Sequence, residues 1–141
     1  MPRNPRCVLP GEAYHITQRG TDRQTVFRTI GDREVYLDLI RENIQDAGVR
    51  ILSYALMTNH IHFVATANSG DGLAVLFRRA NGRYAQYFNA RCGRTGHLWQ
   101  ARFHSCLLSA QHLEVALRYV EFNPVRAAMV LKRMFTSDPL S

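Results

Sequence analysis

The residues best suited to chemistry are His60 and His62, in the run Met57-Thr58-Asn59-His60-Ile61-His62-Phe63-Val64. The flanking apolar residues read as a β-strand. Strand side chains alternate faces, so the two imidazoles point one way while Ile61 and Phe63 point the other. Histidines spaced i, i+2 have Cα atoms about 7 Å apart and can converge on one divalent ion, the imidazole being the commonest protein ligand for such ions. The alternative is two histidines that merely share a strand face. The choice between them turns on the rest of the chain.

Its 141 residues, 46% of apolar type, suffice for one compact domain with a core. Eighteen basic residues against eleven acids give a formal net charge of +7. Nearly all the basic residues are arginine, which forks onto phosphate and stacks on bases, so nucleic acid is the expected partner. No run reaches the roughly 18 apolar residues of a membrane span, and the N-terminus lacks a signal-peptide core, so the expected location is cytoplasmic. Cys7, Cys92 and Cys106 show no C-x-x-C spacing, which argues against a disulfide framework or a cysteine zinc site.

Residues 1–10, with three prolines plus Arg3 and Arg6, read as an extended basic arm. A first strand over 13–19 follows, with His15 and Gln18 expected as surface polar groups. The loop after it should be anchored in the core by Val26 and Phe27. Tyr36, Leu39, Ile40, Ile44 and Ala47 recur at helical spacing, and Gly48 suits the helix C-terminus. A second strand over 49–57 joins the histidine strand through a Thr58-Asn59 hairpin.

The segment 72–90 reads as a long helix with Leu73, Leu76, Phe77, Ala80, Tyr84, Tyr87 and Phe88 inward. Its other side carries Arg79, Arg83 and Gln86, with Arg78 and Arg91 near by, a one-signed surface suited to phosphate. Gly82 costs this helix about 1 kcal/mol relative to alanine, which suggests close approach of another backbone. Residues 92–102 form a loop holding Arg94, Arg102 and the single tryptophan, Trp99. Trp99 there is suited equally to stacking on unpaired bases and to anchoring the loop in the core. A fourth strand over 103–109 and a helix over 111–122 complete the pattern, the helix ending at Pro124. On that helix Tyr119 and Asn123 lie within about 40° of each other and off the buried stripe.

The order strand-helix-strand-strand-helix-strand is that of an α+β, ferredoxin-like split βαβ sandwich. It implies an antiparallel sheet of four or five strands, two helices on one face and the tyrosine-bearing helix appended. The expected domain spans 11–130, followed by an irregular tail over 131–141.

Five segments together resemble the REP-associated tyrosine transposases, of the HUH single-strand transposase superfamily. They are Tyr14-His15-Ile16-Thr17-Gln18-Arg19-Gly20, Leu56 to His62, Asn81 to Asn89, Gly96 to Arg102 and Tyr119 to Ala127. The resemblance implies a metal-dependent endonuclease in which His60 and His62 hold Mg²⁺ or Mn²⁺, Asn123 supplies a third polar ligand and Tyr119 is the nucleophile. The product would be a 5′-phosphotyrosine that a 3′-hydroxyl can later displace, with no need for ATP. The expected substrate is single-stranded or hairpin DNA. Its expected contacts are Arg3, Arg6, Arg19, Arg79, Arg83, Arg94, Trp99, Arg102 and Arg126, in a monomer or a homodimer. Two positions depart from the family: Thr58 stands where proline is usual, and 131–141 does not match the usual Trp-Pro-Trp-Ser type segment. The alternatives are a non-catalytic binder of structured single strands and a metal-dependent phosphodiesterase that attacks with water.

Overall fold

The computed structural model describes residues 8–109 and His112. Tyr119, Asn123, Arg126, Arg3, Arg6 and the appended helix lie outside the described residues. Strands β1 (Tyr14–Arg19), β2 (Val49–Leu56), β3 (His60–Ala67) and β4 (His104–Leu107) form one sheet in the order β2-β3-β1-β4, antiparallel at every junction. Helices α1 (Ile30–Ala47) and α2 (Gly72–Cys92) pack together over it. This is the expected split βαβ sandwich, with four strands among the described residues.

Alternation along the strands builds the core. Tyr14, Ile16, Ile61, Phe63, Ala65, Ile51 and Leu56 are buried with Tyr36, Ile40, Leu76, Phe77, Tyr84 and Phe88 of the helices. Leu52 is one residue too many for the β2–β3 ladder, and a bulge between Ile51 and Ser53 absorbs it. The bulge keeps Tyr54 and Leu56 inward while Ala55 faces the other side, beside Val64. Val26 and Phe27 are buried as expected, and both of their amides donate to the Thr58 carbonyl. The loop before α1 is thereby strapped to the hairpin that carries the histidine strand.

α1 begins with a capping box. The Thr29 hydroxyl accepts from the Asp32 amide, while the Asp32 carboxylate accepts from the Thr29 amide. Gly48, in the left-handed region at φ 68°, ends the helix. Asp32 is fully buried and also accepts from the Arg28 amide, the Tyr87 hydroxyl and two guanidinium nitrogens of Arg91, at 2.6–2.8 Å. Arg91 therefore belongs to this clamp between α1 and α2, not to the exposed arginine row with which the sequence grouped it. Tyr87, expected inward, is half-buried with its hydroxyl on the same carboxylate.

Burial alone would raise the pKa of Asp32. The Arg91 guanidinium, the Arg28 amide, the Tyr87 hydroxyl and the Thr29 amide together hold it below the usual range. Because the folded pKa is depressed, the stability gained is complete above the unfolded value of about 3.9 and is lost as pH falls through the folded value. Asp32→Asn is accordingly expected to cost about 2–3 kcal/mol at pH 7. The gap to the parent should narrow as pH falls below about 3.9, where the carboxyl of the unfolded parent begins to protonate; urea unfolding at pH 7 and near pH 3 measures it.

Gly82 does not fulfil the expectation of a close backbone. Among the described residues a Cβ placed there meets nothing within 4 Å, and the residue is exposed. Gly82→Ala is therefore expected to raise stability by about 0.5–1 kcal/mol, since only unfolded-chain entropy and helix propensity change. A rise in Tm would show it, and a fall would point to a contact that this surface makes with a partner.

Candidate functional site

β3 is a central strand, and its register decides what meets the two histidines. Arg19 stands opposite His60, and Thr17 opposite His62. On the far side of Thr17 stands His104, while Ala55 flanks His62 from β2. All lie on the face away from α1 and α2. The His60 and His62 rings are 4.7 Å apart, centroid to centroid, and nearly perpendicular.

A hydrogen bond fixes the state of the His60 ring, and another links the His62 ring to His15. The Asn59 side-chain oxygen, Oδ1, lies 2.7 Å from His60 Nδ1, and the Asn59 side-chain nitrogen, Nδ2, is turned towards the Arg23 carbonyl. An amide oxygen only accepts, so His60 Nδ1 carries the proton and Nε2 keeps its lone pair. His62 Nδ1 lies 3.1 Å from His15 Nε2, and those two rings are within 14° of parallel. His15 is thus half-buried and bonded to a candidate ligand, and Gln18 is buried at 4% exposure; both were expected as surface groups. His15 arrives there because β1 alternates: Tyr14, Ile16 and Gln18 point into the core, so His15 and Thr17 share the histidine face.

Both ligand candidates are held neutral. Burial, then the charge of Arg19, lowers the pKa of His60. Burial, followed by His60, His15 and Arg19, pushes His62 down to about 3. A neutral imidazole is the form that binds a metal. The pair therefore fits the role of two nitrogen donors to a divalent ion. Among the described residues no group of three His, Cys, Asp or Glu side chains is placed to hold one.

The expected DNA contacts fall into separate places. Arg19 borders the histidine pair. Arg102 is exposed at the β1–β4 edge, where it and Gln18 line both a cleft of about 270 Å³ and a cavity of about 430 Å³. Trp99 fulfils the anchoring reading. Its indole N–H donates to the Asn81 carbonyl and its ring packs on Tyr36 and Tyr84, yet it also lines the larger cavity. Arg79 and Arg83 are exposed with Arg78 along a groove between α1 and α2, in the layer remote from the histidines. Arg94 is drawn into its own loop, bonding the Asn89 side chain and the His97 carbonyl. The sequence reading passes over Asn59 and takes His15 for a surface group. Asn59 could have been found as the neighbour of the pair; His15 needed the β1–β3 register.

No helix among the described residues is long and apolar enough to cross a membrane, and Cys92 and Cys106 are free thiols. No curated protein matches the chain. Among solved structures, a REP-associated tyrosine transposase bound to a REP hairpin is similar over 89% of this chain and 74% of its own, at 20% identity and TM-score 0.68. A putative transposase from Deinococcus radiodurans R1 is similar over 88% of this chain and 98% of its own, at 16% identity and TM-score 0.57. These likenesses establish the fold. The family described as "Transposase IS200 like" matches residues 10–123, most of the sequence, and the chain therefore belongs to the IS200-like transposases, enzymes that cleave and transfer DNA.

Proposed function

We propose that this transposase cuts and rejoins single-stranded DNA beside hairpins, through a covalent 5′-phosphotyrosine on Tyr119, with Mg²⁺ or Mn²⁺ held by His60 and His62. The observation that carries the reading is the neutral imidazole pair, with His60 Nε2 kept as a lone-pair nitrogen by Asn59 and an arginine next to it. The similar solved protein with a REP hairpin bound supports a hairpin as the substrate class.

In this reading the Tyr119 oxygen forms a bond to phosphorus, and the bond from phosphorus to the 3′ oxygen breaks. That oxygen leaves as a free hydroxyl, and a later 3′-hydroxyl reverses the step on another end. A bound divalent ion would supply Lewis acidity at the phosphate oxygens. Arg19 adds positive charge at the same face, where charge accumulates as tyrosine attacks. Asn59 and His15 orient the two rings. For His62 to offer Nε2 to an ion, its proton must sit on Nδ1 and be donated to His15 Nε2, which makes His15 the acceptor of that bond. Asn123 as a third ligand and Arg126 as a DNA contact rest on the family resemblance alone.

The test is a denaturing gel of the chain with a labelled hairpin oligonucleotide carrying a single-stranded flank. A denaturation-resistant adduct is expected with Mn²⁺ or Mg²⁺, absent for Tyr119→Phe and reduced about a hundredfold or more for His60→Ala. Cleaved strands without any adduct would establish attack by water instead. His15→Ala is expected to weaken Mn²⁺ binding by about tenfold or more, read by electron paramagnetic resonance titration without DNA. Unchanged affinity would remove His15 from the orienting role.

A further inference from the structure

From the turn that follows β1 we infer that Arg23 is a positioning residue for His60. Its backbone carbonyl selects the orientation of the Asn59 side-chain amide, and that amide selects which His60 nitrogen keeps its lone pair. The inference rests on the reading in which His60 Nε2 faces a divalent ion.

The turn, Gly20 to Gln24, runs against local preference. Asp22 and Arg23 take left-handed backbone in succession, at φ 54° and 60°. That region is disfavoured for any residue with a Cβ, and least so for Asp and Asn. Both side chains are exposed, so the conformation is not adopted to fill the core. It serves backbone groups instead. The Arg23 and Gln24 amides donate to the Gly20 and Thr21 carbonyls at 3.1 and 3.0 Å. The Gly20 and Thr21 amides donate outward, to the Asn59 and Leu98 carbonyls at 2.9 and 2.8 Å. The Gln24 side-chain nitrogen reaches the His97 and Leu98 carbonyls. Gly20 itself has φ −69°, open to every residue, and it is space that demands glycine there. A Cβ would lie 2.5 Å from the Gln24 carbonyl oxygen and 2.8 Å from the Val26 side chain. The turn is thus fastened on one side to the hairpin before β3 and on the other to the segment around Trp99.

Held in this way, the Arg23 carbonyl oxygen lies 3.4 Å from Asn59 Nδ2. A carbonyl oxygen accepts and never donates, so it admits the nitrogen of the amide and turns away its oxygen. Oδ1 is left facing His60 Nδ1 at 2.7 Å. It too can only accept, which sets the ring proton on Nδ1 and the lone pair on Nε2. An amide turned over would donate to Nδ1, move the proton to Nε2 and close that nitrogen to a cation. Either orientation gives the ring one hydrogen bond. The Arg23 carbonyl breaks the tie, and the left-handed backbone aims that carbonyl.

Arg23→Gly and Arg23→Val test this as a pair, since both remove the same exposed guanidinium. Glycine keeps the left-handed backbone freely, whereas a β-branched residue is an outlier there, so only valine turns the carbonyl away. The readout is the His60 tautomer in metal-free protein, from imidazole nitrogen shifts in long-range ¹H–¹⁵N spectra. Loss of the signal in His60→Gln assigns it. Parent and Arg23→Gly are expected to carry the proton on Nδ1. Arg23→Val should show a mixture with the proton on Nε2, and bind Mn²⁺ about tenfold more weakly by electron paramagnetic resonance titration. Asn59→Asp, whose ionised carboxylate can only accept, should restore the Nδ1-protonated ring in the Arg23→Val background, which a merely misfolded turn would not allow. A parent ring protonated on Nε2, a ring unchanged in Arg23→Val, a change shared equally by Arg23→Gly, or no restoration by Asn59→Asp would each overturn the inference. The tautomer is read without metal or DNA. An Nδ1-protonated His60 in a chain that binds no Mn²⁺ would therefore overturn the metal reading and leave the positioning by Arg23 standing.

Discussion

The antiparallel pairing of β1 with β3, Tyr14 opposite Ala65 through Arg19 opposite His60, sets the two faces of the sheet on which everything else is arranged. Both strands are internal, and both alternate apolar with polar residues. A slip of one residue in either would carry its whole apolar set to the wrong face. For β3 that would turn two imidazoles into an aromatic interior and leave them without partners, at a cost of several kcal/mol. The bulge at Leu52 extends the same phase to β2, because without it Tyr54 and Leu56 would face away from the helices. The chemistry-bearing face thus inherits its precision from the packing of the opposite one.

Charge follows that division. On the histidine face the net cationic chain keeps two rings uncharged, since burial and neighbouring positive groups both disfavour protonation. On the helical layer Arg78, Arg79 and Arg83 remain exposed, where a guanidinium stays protonated and can meet phosphate. One arginine, Arg91, is instead spent on the buried carboxylate of Asp32, which joins the start of α1 to the end of α2. Positive charge in this protein therefore does two jobs, attracting polyanions outside and joining helices inside.

Periodicity made the elements legible. The 3.6-residue recurrence from Tyr36 to Ala47 and from Leu73 to Phe88, and the alternation around His60, mark the helices and the histidine strand closely. Gly48 marks the end of α1 in the same way. What periodicity could not supply is pairing between segments far apart in the chain. Nothing local places His15 beside His62, forty-seven residues away, or Arg91 beside Asp32, fifty-nine away. Gln18 fails for the same reason: a polar residue on a strand reads as surface until the carbonyls it must hold, eighty residues later, are known. Gly82 misled in the other direction, because a sequence shows that a side chain is missing but not whether anything occupies the space.

Thr58 is the position at the hairpin where related proteins usually carry proline. Its side chain is exposed, and its carbonyl oxygen takes the amides of both Val26 and Phe27. Every residue type has that oxygen, proline included. The turn is therefore held through a backbone atom that no substitution removes, and the strand behind it, with both imidazoles, is tied down whichever side chain stands at 58.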